Sequence, residues 1–126
     1  MDSRAWIVCG ALLAGLAVAA SAYGAHGVKG SVDAQRLDDY ETAARNQMIH
    51  AIAMILVGLV GRGAKPTRAV HFAGAAFLLG ILLFCGGLYG FALSNNRSLL
   101  SVAPAGGISF MVGCVALAIA GWRARV

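Results

Sequence analysis

The sequence predicts an all-α, polytopic membrane protein, a single domain over residues 1–126 built as a four-transmembrane-helix bundle with both termini cytoplasmic. Three observations carry that prediction. The chain is 60% apolar and only 12% charged, whereas soluble domains carry about 25% charged residues. Apolar runs over about 5–23, 41–60, 70–93 and 102–122 each approach the ~20 residues needed to cross a hydrocarbon core of about 30 Å. The basic residues Arg4, Arg62, Lys65, Arg68, Arg123 and Arg125 fall on one side of a four-span arrangement. Lys29, Arg36 and Arg97 fall on the other, beside Asp33, Asp38 and Asp39. The positive-inside rule then puts the termini and the second loop in the cytoplasm.

The net charge of +5 forms no basic face interleaved with aromatics, which argues against nucleic acid as a partner. The expected partners are the lipid bilayer and either a second copy of the chain or a larger membrane complex. Cys9, Cys85 and Cys114 all lie inside spans. An odd number of cysteines there reads as small packing residues, with no disulfide framework and no metal knuckle.

The first run carries Ala20-Ser21-Ala22, which imitates a signal-peptidase site. An even number of spans is needed to place the charges, so the segment is expected to be retained. Trp6 is expected to anchor the cytoplasmic interface. Gly10 with Ala14, and Gly15 with Ala19, repeat the small-xxx-small spacing that lets a neighbouring helix approach closely. The glycines around His26, in Tyr23-Gly24-Ala25-His26-Gly27, are expected to end the first helix. Val32 to Asp39 reads as a short helix or an extension of the second span, with Asp38 and Asp39 favouring its N-terminal end.

The second run is the most informative. At about 100° per residue, Tyr40, Ala43, Gln47, His50, Met54 and Gly58 share one face, and Ile49, Ile52, Leu56 and Leu59 the other. Lipid accepts the second face and a protein interior the first. If the helix enters the membrane near Glu41, His50 lies about 13 Å deep at 1.5 Å per residue. Glu41 and Arg45, four apart, are expected to pair at the interface.

Gly61 to Pro66 reads as a tight cytoplasmic turn, with His71 solvated just beyond it. The third run ends in Gly86-Gly87-Leu88-Tyr89-Gly90, where Gly86 and Gly90 form a GxxxG pair and Tyr89 belongs to the interfacial belt. In the fourth, Ser101 is the expected N-cap and Pro104 sits in the first turn. Gly106, Gly107 and Gly113 thin this helix. Ser109, Ala116 and Ala120 continue the small stripe, and Trp122 closes it at the interface.

Several blocks together resemble one family. They are Ser21 to Gly27, Tyr40-Glu41-Thr42-Ala43, Gln47-Met48-Ile49-His50-Ala51, Gly80 through Phe84 to Tyr89, and Pro104-Ala105-Gly106-Gly107. The resemblance is to the four-helix membrane family called domain of unknown function 423, which includes YgdD-like bacterial proteins and animal transmembrane protein 256. It covers nearly the whole chain in the same order. It implies an inner-membrane, four-span protein with cytoplasmic termini, and no established activity. The chain departs from the family at Cys85-Gly86-Gly87, where a serine is usual, and at Gly113-Cys114, where glycine is usually followed by tryptophan.

Gln47, His50, His26 and Glu41 form the candidate intramembrane polar site. Two uses of its amide and imidazole compete. One is an interhelical hydrogen-bond pair holding the second span to the first or fourth. The other is a ligand or proton-relay site, to which intramembrane ionisable groups point by default. His26, His50 and Glu41 lack metal-ligand spacing, Glu41 projecting half a turn away from His50, so neither a metal nor a haem nor any other cofactor is assigned. No catalytic triad, carboxylate pair or phosphate loop occurs. The expected function is therefore that of a non-enzymatic structural, accessory or lipid-interacting component. The alternatives are a small permeation or proton-relay protein using Gln47 and His50, and a redox or quinone-associated subunit.

Overall fold

The computed structural model describes residues 2–63 and 68–124. Lys65 and Pro66 of the expected turn, and Arg125, lie outside the described residues. Among the described residues, four helices long and apolar enough to cross a membrane run Ser3–Val28, Ala34–Arg62, Arg68–Ser94 and Arg97–Arg123, here the first to fourth spans. No strand occurs among the described residues.

Local chemistry sets the ends. Asp2 and Asp33 are extended residues whose carboxylates accept from the backbone amides of Ala5 (2.9 Å) and Arg36 (2.8 Å), capping the first and second spans. The segment Val32 to Asp39 is thus an extension of the second span, and Asp33, rather than Asp38 or Asp39, serves its N-terminus. The glycines around His26 do not stop the first helix. It widens into a π-helical turn over Gly24–Val28, and the chain reverses at Gly30, where φ is +87°. Gly24 is needed because the Tyr40 ring lies where a Cβ would be, 2.7 Å away. Asn95, left-handed at φ 59°, closes the third span. The fourth span opens with a 3-10 turn over Arg97–Val102 whose cap is the Asn96 side chain. Ser101 instead donates to the Ser98 carbonyl, while Pro104 does occupy the first α-turn.

The spans pack in chain order. The first lies along the second, the second against the third and the third along the fourth, while the first and third touch only lightly. The second and third spans therefore form the centre, around Met54, Val57, Phe77 and Ile81. The face division of the second span is as the periodicity dictates. Tyr40, Ala43, Gln47, Met54 and Gly58 are buried, His50 is half-buried, and Ile49, Ile52, Leu56 and Leu59 stand exposed to lipid.

Small residues set how closely the helices approach, though not all those expected to. A Cβ on Gly10 would lie 2.6 Å from the Ala51 carbonyl oxygen, and one on Gly58 would meet the Ser3 carbonyl at 2.6 Å. Between the third and fourth spans glycines face phenylalanines: Gly113 against the Phe77 ring, Gly80 against Phe110, Gly106 against the Phe84 backbone. Ser109 adds a 2.6 Å hydrogen bond to the Ala76 carbonyl. Gly15 and Gly86, by contrast, have open space where a Cβ would point, and Gly107 makes only an ordinary contact at 3.9 Å with Phe84. Gly86 directly follows a second π-helical turn, over Ile81–Cys85. Gly87, not Gly86, is pressed against the chain at the Leu99 carbonyl (2.7 Å for a Cβ), while Gly90 meets the Leu99 side chain.

Candidate functional site

Gln47 sits on the inner face of the second span with 6% of its surface exposed. Its amide nitrogen donates to the Leu13 carbonyl of the first span at 2.8 Å. Its side-chain oxygen accepts from the Tyr89 hydroxyl of the third span at 2.9 Å. One amide therefore ties three helices together at membrane depth. A main-chain carbonyl keeps a second lone pair after its own helical bond, so Leu13 can accept without losing its place in the ladder.

Tyr89 extends this network. Its ring meets that of Tyr40 edge-on, with centroids 5.1 Å apart and planes at 65°, a geometry that sets positive ring edge against negative face. The Tyr40 hydroxyl then donates to the Ala20 carbonyl at 2.7 Å. Tyr89 thus turns inward and does not join an interfacial belt. Spacing held a clue to this: Cys85, Tyr89 and Ala92 recur at i, i+4 and i+7, the stripe of a buried helix face.

His50 does not join Gln47. Its Nδ1 lies 2.8 Å from the Asn46 carbonyl in the preceding turn of its own helix. Its ring lies flat on Phe110 of the fourth span, centroids 3.5 Å apart, with Phe77 of the third at 5.9 Å. The imidazole behaves here as an aromatic plate with one satisfied nitrogen. His26 and Glu41 are both exposed. His26 makes no hydrogen bond or ring contact among the described residues, so the π-helical turn that carries it does not fold back towards His50. Glu41 and Arg45 are likewise exposed and form no ion pair with each other. Among the described residues no three His, Cys, Asp or Glu side chains converge as metal ligands would.

Two further ties were not legible in the sequence. Trp6 is buried at 4% exposure and covers Gly74, and its indole nitrogen donates to Nδ1 of His71 at 3.2 Å. The pair links the first and third spans at the end of the bundle where the chain begins. Trp6 is therefore not a lipid-facing anchor, and His71 is not simply solvated; Trp122, by contrast, is 91% exposed. At the opposite end the Arg36 guanidinium donates to the Ala92 carbonyl at 2.9 Å, supplying a donor to one of the unpaired carbonyls of a helix C-terminus.

A cleft of about 350 Å³ lies between the first and third spans, where they touch least; Leu13, Gln47, Cys85 and Tyr89 are among its walls. A second groove, about 550 Å³, runs between the first and second spans past Glu41 and Arg45. A third, about 540 Å³, separates the third and fourth spans and is apolar except for Arg68.

Sequence comparison supports this membrane architecture. A family described as "Protein of unknown function (DUF423)" matches residues 20–107. A UPF0382 membrane protein of Staphylococcus epidermidis (strain ATCC 35984) is 35% identical over 117 residues, covering 93% of this chain and 94% of its own. The UPF0382 membrane protein YwdK of Bacillus subtilis is 30% identical over 117 residues, covering 93% and 95%. A third relative, from Staphylococcus aureus (strain bovine RF122), is 33% identical over 120 residues, covering 95% and 97%. No solved structure matches the chain.

Proposed function

We propose a structural or accessory role in the membrane, and the premise is that this chain belongs to the DUF423 family of proteins of unknown function. The observation that carries the reading is the state of Gln47. Both ends of its amide are engaged by neighbouring helices, through Leu13 and Tyr89, as befits a tie between spans. A relay would instead need Gln47 or His50 to pass a proton to further polar groups. The His50 nitrogen that has a partner is held by its own helix, and the ring is stacked on Phe110 with Phe77 nearby.

The reading includes orientation. Arg4, Arg62, Arg68 and Arg123 gather at one end of the bundle, and Lys29, Arg36 and Arg97 at the other. The bias supports an inner-membrane protein with both ends of the chain in the cytoplasm. A C-terminal fusion to a fluorescent protein is expected to fluoresce, and one to alkaline phosphatase to stay inactive; the reverse pattern overturns the orientation.

The experiment for the role is reconstitution of the purified chain in liposomes carrying a pH-sensitive dye. A structural component gives no flux above empty liposomes, and Gln47→Ala lowers its resistance to unfolding. Proton flux that His50→Ala abolishes would overturn the proposal in favour of a relay.

A further inference from the structure

We propose that the groove between the first and second spans binds one phospholipid with a primary-amine zwitterionic headgroup, phosphatidylethanolamine. The order of chemistry along the groove points to this ligand. Nearest the membrane centre it is lined by Val18, Met48 and Ile49; next comes Arg45, and outermost Glu41. An aminophospholipid has the complementary order from the membrane centre outward: acyl chain, phosphate anion, ammonium cation. The order holds whichever way the protein crosses the bilayer, because both sequences are counted from the midplane.

The spacing fits as well. Arg45 follows Glu41 by four residues and lies about 6 Å deeper along the axis. Helical side chains lean towards the N-terminus of their helix, here the outward direction, so the guanidinium rises from this depth to the phosphate level. Its planar fork suits a phosphate, while the carboxylate above it suits an ammonium that can donate hydrogen bonds.

The charges are also free to act. Glu41 and Arg45 stand at helix-pair spacing on one surface, yet they make no ion pair and no other side-chain bond among the described residues. Each therefore offers its charge to a third party. Ser21, across the groove on the first span, adds a hydroxyl at the same end. The groove between the third and fourth spans has Arg68 and no acidic residue in its lining, so it lacks the second half of this complement and serves as an internal control.

The inference rests on the chain being membrane-embedded, but not on Gln47 acting as a tie. Loss of the Gln47→Ala effect would leave the expected lipid order untouched, so the two failures are distinguishable. The test is native mass spectrometry of the full chain in detergent, titrated with phosphatidylethanolamine, phosphatidylcholine and phosphatidylglycerol of identical acyl chains. One phosphatidylethanolamine is expected to bind about fivefold more tightly than either of the others. Glu41→Gln, nearly isosteric, is expected to erase the preference over phosphatidylcholine, whose quaternary ammonium donates no hydrogen bond. Arg45→Gln is expected to weaken all three lipids, and Arg68→Gln to change nothing in their order. Equal binding of the three lipids overturns the proposal. So does a preference for phosphatidylglycerol, which would make Arg45 a simple anion site. A preference that survives Glu41→Gln overturns it too, as does a dimer that forms or dissolves with these substitutions while lipid selectivity is absent.

Discussion

The imidazole of His50 lies on the phenyl ring of Phe110 with centroids 3.5 Å apart and planes 4° from parallel. This contact belongs to the second and fourth spans, which otherwise meet little. It converts the one histidine expected at mid-membrane depth into a packing element. Its shape then matters more than its ability to carry a proton.

That distinction is measurable. His50→Phe keeps a flat ring on Phe110 and is expected to lie within about 1 kcal/mol of the parent, whereas His50→Ala opens a cavity and loses about 2–3 kcal/mol. Reversible unfolding in mixed micelles reads both. If the phenylalanine variant is as damaged as the alanine one, the ring's nitrogen is what the fold uses.

Gln47 supplies the reverse case, a side chain valued for its polar atoms. Gln47→Leu keeps the bulk but leaves Tyr89 without its acceptor, and a loss of about 1–2 kcal/mol is expected. Tyr89→Phe removes the same bond from the other side. Because the two residues share it, the double substitution should cost clearly less than the two single losses added together. Simple additivity would mean that the 2.9 Å contact contributes no coupling.

The glycines divide sharply. Gly106→Ala puts a methyl into the Phe84 backbone, and Gly10→Ala into the Ala51 carbonyl; neither partner is a flexible side-chain end, so losses of about 2 kcal/mol or more are expected. Gly15→Ala and Gly86→Ala point into open space. They should be neutral or stabilise by up to about 1 kcal/mol, alanine being the better helix former. Equal effects across the four, read by thermal unfolding, would contradict this division into contact and bystander glycines.

At the end of the bundle where the chain begins, Trp6→Phe keeps most of the cover over Gly74 and removes the indole donor to His71. A loss of about 0.5–1.5 kcal/mol is expected, and His71→Ala in the Trp6→Phe background should add little beyond its own packing loss. Thermal unfolding of the three variants in one detergent checks this. Full additivity would dissolve the pair.

The inward face of the second span was legible in the sequence; the grouping of the candidate site was not. A period of 3.6 assigned Tyr40, Gln47 and His50 to one inward face because lipid and protein interior reject each other's residues. What periodicity cannot specify is the partner. Gln47 was open to the first span or the fourth, and it took the first together with the third, through a tyrosine that pattern alone had put at the interface. Ion pairing between Glu41 and Arg45 failed for a related reason. Helical spacing permits an exposed pair without enforcing it, since its few tenths of a kcal/mol compete with side-chain entropy.

The sequence by itself determined the number of spans, their helicity and the lipid-facing side of the second span, because an acyl environment demands long apolar runs with every backbone group bonded internally. Tertiary structure alone decided which small residues are contacts and which are bystanders. Two π-helical turns, at Gly24–Val28 and Ile81–Cys85, interrupt the regular helices where no hydropathy pattern marks them. Only the packed neighbours reveal that Gly87 rather than Gly86, and a buried Trp6 rather than a lipid-facing one, hold the bundle together.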